Sequence, residues 1–80
     1  MNKEKILAEL QPIFQDVFDD EELAVTEETN ASDVEDWDSL AHMVLLAAIE
    51  ENFGIRFSLG EVNSFANVGA MADCIVKHLG

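Results

Sequence analysis

Few side chains in this sequence can do chemistry on their own account. There is one cysteine, Cys74, and there are two histidines, His42 and His78. Among the hydroxyls, Ser39 has the most distinctive setting. It stands in Asp36-Trp37-Asp38-Ser39-Leu40, where an acidic, irregular run gives way to the strongest helical pattern in the chain. The first N–H groups of a helix lack intrahelical partners and lie at the positive end of the macrodipole. Asp38 or Asp36 can cap those groups and leave the Ser39 hydroxyl facing solvent. A phosphate ester on that hydroxyl would then lie beside a helix N-terminus, a favourable place for an anion.

A hydrolytic role for Ser39 would need a base. His42 follows three residues later and is its neighbour on a helix. A Ser-His-acid site also needs convergence on a pocket with an oxyanion hole. A helical chain of 80 residues leaves little room for one, and no Gly-x-Ser-x-Gly elbow is present. His42 is expected at the edge of the core or beside an exposed face. The spacings of His42, Cys74 and His78 match no zinc motif, so no metal is expected from them. Cys74 falls inside the last helix and reads as packed rather than reactive. His78, near the chain end, suits the negative end of that helix.

The elements that would place these groups follow from the apolar pattern. Residues 3–18 form the first helix, with Ile6, Leu7, Leu10, Ile13, Phe14, Val17 and Phe18 on one stripe. The stripe stays in phase across Pro12, which predicts a bent helix; a helix starting near Pro12 is the alternative. Residues 19–38 are a long acidic connection without Lys or Arg. Leu23, Val25, Ala31, Val34 and Trp37 are its expected pins to the core, and Ser32 with Glu35 can cap one helical turn. The carboxylates read as a solvated loop; weak cation binding stays open, but the spacing is not that of an EF-hand. The second helix spans Ser39 to Phe53, with Leu45, Leu46, Ile49 and Phe53 on the core face. Leu40, Met43, Val44 and Ala47 lie on its other side, as ordinary core or as a surface in use. Gly54 is its C-cap, and Ile55-Arg56-Phe57 is extended. Ser58 caps a short third helix near residues 59–65, with Val62 and Phe65 as its apolar contacts. Asn67 opens the last helix at about residues 68–78, with Val68, Met71, Ala72, Ile75 and Leu79 buried. The fold class is all-α, four helices in one domain over residues 1–80.

Composition bounds the function. A net charge of −13 argues against nucleic acid and anionic membrane surfaces. It suits basic patches on protein partners, where it speeds encounter. The apolar fraction of 49% is too high for a disordered chain. One cysteine forms no internal disulfide, and neither a leader nor a membrane-length apolar run is apparent. A soluble, cytoplasmic, monomeric protein is the expectation.

The pattern resembles the acyl carrier protein family. The carrying residues are the triplet Asp38-Ser39-Leu40, the helix ending Glu50-Glu51-Asn52-Phe53-Gly54-Ile55, and Glu61-Val62 and Val68-Gly69 beyond it. The resemblance covers nearly the whole chain and is clearest over residues 34–79. It implies a four-helix bundle with a long first loop. It implies that Ser39, flanked by Asp38 and Leu40, takes 4′-phosphopantetheine from coenzyme A through a phosphopantetheinyl transferase. The arm's thiol then carries an acyl group as a thioester, and partner enzymes do the chemistry. Leu40, Met43, Val44, Ala47, Glu50 and Glu51 would meet partners: an acyl ligase, acyltransferase or synthase with basic docking patches. Leu46, Phe57, Val62, Phe65, Met71 and Ile75 would line an acyl pocket, or form a plain core.

The departures from the family pattern are as informative. Ala41 and Val44 stand where carriers of fatty acid synthesis commonly have acids, as do Arg56 and Leu59. The expectation is therefore a specialised stand-alone carrier of fatty acid or other acyl or polyketide metabolism. An aminoacyl or D-alanyl carrier of the same fold, and a non-catalytic acidic adaptor, are the competing readings.

Overall fold

The computed structural model describes residues 2–80. Four α-helices follow one another: α1 (Lys3–Val17), α2 (Ser39–Phe53), α3 (Leu59–Val62) and α4 (Val68–Leu79), with a single 3-10 turn at Ala31–Asp33 before α2. Helix α1 starts at Asn2, whose side-chain oxygen accepts the Lys5 N–H at 2.9 Å. It runs unbroken through Pro12, so the alternative start near Pro12 is excluded. Ile6, Leu10 and Phe14 are fully buried, as the stripe predicts, and pack with Leu45 and Ile49 of α2 and with Val68, Met71, Ala72 and Ile75 of α4.

The long loop between α1 and α2 is held by specific polar contacts. The Gln11 amide acts as a backbone surrogate for Val25: its Nε2 donates to the Val25 carbonyl at 2.7 Å, and its Oε1 accepts the Val25 N–H at 2.8 Å. Gln15 donates to the Leu23 carbonyl at 2.9 Å. Further on, the loop caps α4. The Val68 N–H donates to the Thr29 carbonyl at 2.8 Å and the Gly69 N–H to the Glu27 carbonyl at 2.9 Å. Gly69 permits that approach, because a Cβ there would lie 2.8 Å from the Glu27 carbonyl oxygen. Lys3 ties the same corner together through Glu27 and Asp73.

Four expectations need correction. The short turn is capped by Asn30, not Ser32: Asn30 accepts the Ser32 N–H and Asp33 returns to the Asn30 N–H, because a box two residues earlier closes both orphan donors. Ala31 is exposed, whereas Val25 and Val34 are buried and Leu23 and Trp37 half-buried against the core. Helix α3 stops at Val62, and Phe65 packs from outside it, edge-on to Phe57 with centroids 5.3 Å apart. Leu79 is exposed, since α4 outruns the core in its last turn.

Helix α2 ends at Gly54, whose left-handed φ of +66° turns the chain so that the Ile55 N–H reaches back to the Glu50 carbonyl at 3.1 Å. The Phe57 N–H then donates to Glu50 Oε2 at 2.7 Å, which folds the extended segment back along the helix. Ser58 and Glu61 form a capping box for α3.

Candidate functional site

Of the two candidate caps, the structure uses Asp38. Its Oδ1 accepts the Ala41 N–H at 2.8 Å and its carbonyl accepts the His42 N–H at 2.9 Å. Asp36 contributes only its carbonyl, to the Asp38 N–H. Ser39 is therefore the first helical residue, exposed, with no side-chain partner among the described residues. The N–H groups of Ser39 and Leu40 also lack partners there and lie at the positive end of α2.

His42 is fixed by both ring nitrogens. Nδ1 accepts from Trp37 Nε1 at 3.1 Å, so Nε2 carries the proton and donates to the Val62 carbonyl at 3.2 Å. Trp37 in turn packs edge-on against Phe14, with centroids 5.4 Å apart. The imidazole is a strut joining the loop, α2 and α3, and no lone pair is left to deprotonate Ser39. The serine hydrolase arrangement is absent from the described residues. Trp37, Asp38, Ser39, His42, Met43 and Val62 border an open hollow of about 440 Å³ beside the hydroxyl.

Beyond Ser39 the exposed side of α2 is apolar. Leu40 is 76% exposed, Met43 57% and Val44 51%, and Leu59 at the start of α3 is 79% exposed. Ala47 and Glu51 are exposed beside them. Leu59, which stands in the sequence where carriers commonly have an acid, lines a cleft with Met43 and Ala47. Glu50, expected among the partner-meeting residues, is half-buried, and its Oε2 accepts the Phe57 N–H.

The six pocket residues divide. Leu46, Phe57 and Val62 border a cleft of about 300 Å³ between α2 and α3, reached past Met43, Ala47 and Leu59. Met71 and Ile75 are fully buried in the core, and Phe65 packs on Phe57. They lie outside that cleft's lining because the core is already filled around them.

A serine hydroxyl open to solvent, on a capped helix end with two free N–H groups, fits a phosphodiester-linked group. The family model for the phosphopantetheine attachment site matches residues 8–75. The chain belongs to the acyl carrier protein family of phosphopantetheine-attachment domains, and its cofactor is covalently attached 4′-phosphopantetheine. Among solved structures, the chain is similar to the holo acyl carrier protein of Geobacter metallireducens, with 46% identity over 91% of this chain and 84% of that one and a TM-score of 0.86. No curated protein matched. The all-helical expectation holds, and the fold is one that meets a phosphopantetheinyl transferase and acyl-handling enzymes. Among the described residues, no helix is long and apolar enough to cross a membrane.

Proposed function

We propose that residues 1–80 form one carrier domain in which Ser39 is the attachment residue, holding acyl intermediates for delivery to partner enzymes. The observation that carries this reading is the exposed, unpartnered Ser39 hydroxyl at the N-terminus of α2, in a chain of this family. Asp38 holds the first turn in place, and the free N–H groups of Ser39 and Leu40 would be available to the phosphate of an attached arm. The arm, when attached, supplies the thiol on which an acyl group rides as a thioester. The chain performs no bond-making of its own; it is a substrate of other enzymes, in the cytoplasm, as a monomer.

Leu40, Met43, Val44 and Ala47, with Glu50 and Glu51 at the edge, form the partner surface. An acyl chain entering between α2 and α3 meets Leu46, Phe57 and Val62 first; Phe65, Met71 and Ile75 belong to the same apolar body. Ala41 and Val44 in place of acids support a specialised partner over general fatty acid synthesis. The test is intact-mass measurement after incubation with coenzyme A and a broad-specificity phosphopantetheinyl transferase. The wild-type chain gains one arm and Ser39→Ala gains none. A wild-type chain that stays unmodified, or a Ser39→Ala chain that still gains mass, overturns the assignment.

A further inference from the structure

Away from Ser39, three unlike ligand groups meet on the outer side of α3 and α4. Glu61 comes from α3, Cys74 and His78 from α4, and their ligand atoms all lie within 4.8 Å of one another. Cys74 and His78 are four residues apart, so one helix face presents both. Glu61 reaches them from 13 and 17 residues away. We propose that Glu61, Cys74 and His78 form a three-ligand site for a borderline-soft divalent cation, zinc above all, with the fourth position open to water.

The argument is geometric. With Zn–S about 2.3 Å and Zn–N and Zn–O about 2.0 Å, a tetrahedral site has ligand-to-ligand edges of roughly 3.3–3.6 Å. Here Cys74 Sγ lies 3.3 Å from Glu61 Oε2, and His78 Nε2 lies 3.0 and 3.1 Å from the two Glu61 oxygens. The separations at Glu61 need to open by only a few tenths of an ångström to admit the ion, and the Cys74 and His78 ligand atoms lie within 4.8 Å of each other. The set of one carboxylate, one thiol and one imidazole is a zinc set; magnesium or calcium would ask for oxygen alone.

The ligands are also supported. The Ser58 N–H donates to Glu61 Oε1 at 2.8 Å, holding the carboxylate through the capping box. His78 packs edge-on against Phe57, with centroids 5.7 Å apart, which fixes the ring. The Glu61 and His78 side chains are 30% and 27% exposed, open enough for an ion to enter. The Ser58 N–H, then His78 and Cys74, hold the Glu61 carboxyl at about 2, so an anionic ligand is ready at neutral pH. Burial, and then the Glu61 carboxylate, push the Cys74 thiol up to about 11. A bound cation reverses that second effect, and the thiol proton passes to the buffer as the metal–sulfur bond forms. His78 binds through Nε2 once its remaining proton sits on Nδ1. No electron changes hands.

The competing destination for a cation is the acidic surface of a chain carrying −13, so the test must identify sulfur. The holo chain and the full-length Ser39→Ala chain, which lacks the arm's own thiol, are titrated with zinc and, separately, with cobalt(II). Both chains should bind one ion and raise their melting temperature with zinc, and both cobalt forms should show a thiolate charge-transfer band. Second-shell losses alone weaken metal sites about 10- to 100-fold, so Cys74→Ser and His78→Gln should each lose at least that much affinity. Cys74→Ser should also lose the band. His78 is on the surface, so His78→Gln decides the matter if Cys74→Ser does not fold. A band that is absent from Ser39→Ala, or zinc affinity unchanged in His78→Gln, overturns the site.

Discussion

The side chain on which the position of Ser39 depends is Asp38, and its removal has a calculable effect. Asp38→Ala deletes the acceptor for the Ala41 N–H, now 2.8 Å from Oδ1. Losing an N-cap acceptor costs about 1 kcal/mol, within a range of about 0.5–2. The lost negative charge at the positive helix end adds about 0.3–1 kcal/mol at low salt. One opposing term comes from the net charge of −13, since removing any carboxylate relieves repulsion. Asp36→Ala measures that relief alone, because Asp36 contributes only its backbone carbonyl. The net expectation for Asp38→Ala against Asp36→Ala is a loss of about 1.3–2 kcal/mol. In a domain this small that is a melting temperature lower by about 5–16 °C, or a urea midpoint lower by about 1 M. Asp38→Asn keeps an acceptor and should fall between the two. Urea melts of the chain without its arm supply the numbers, and phosphopantetheinylation rates report whether the frayed first turn still presents Ser39. If Asp38→Ala unfolds with Asp36→Ala, the cap does not hold the turn and the reasoning fails.

Two further perturbations probe the frame around the site. Gly69→Ala should destabilise despite the higher helix propensity of alanine, because its Cβ would meet the Glu27 carbonyl, a backbone atom that cannot rotate away; we expect a net loss of about 1–2 kcal/mol, and a stabilised melt would show that the loop yields freely. Glu61→Gln should change the acid limb of stability. The Glu61 carboxyl is held below its ordinary 4.5 at about 2, so its contribution is present above the ordinary value and is lost as pH falls through the lower one. The difference between wild type and Glu61→Gln should thus be flat above about pH 5 and shrink towards pH 2; a difference constant across that window would show that the Ser58, His78 and Cys74 contacts do not bias the carboxyl.

The parts of this protein written in local pattern could be read from the sequence. The bounds of α2, from Ser39 to Phe53, followed from a cap, an apolar run and a glycine within a few residues of each end. Ser58 and Asn67 were legible as caps for the same reason. What escaped is non-local. Nothing near Gln11 announces that its amide will clamp Val25, 14 residues on. His42 looked like a neighbour of Ser39, and only the folded chain shows it spanning from Trp37 to Val62. The Glu61–Cys74–His78 cluster had no motif because the ligands come from two helices whose contact the sequence does not state. Ser32 with Glu35 was a plausible capping box, but Asn30 with Asp33 competed for the same turn and won.

Helix α2 shows how fold and function divide one element. It carries apolar residues all round, yet only Leu45, Leu46 and Ile49 are buried. A helix selected for folding alone would carry polar groups on its open side. Leu40, Met43 and Val44 instead stand exposed in a row that Leu59 extends from α3. Their solvation contributes nothing to the free chain, and contiguous apolar surface of this kind is what the proposed partner surface requires. Acids precede and follow this run in the sequence, in the loop of residues 19–38 and at Glu50 and Glu51. Charges at the rim mainly set how fast partners meet, whereas a desolvated apolar centre sets how long they stay. On the proposed reading, a carrier built this way couples quick encounter with its partner enzymes to a contact whose strength is tuned by a few side chains beside Ser39.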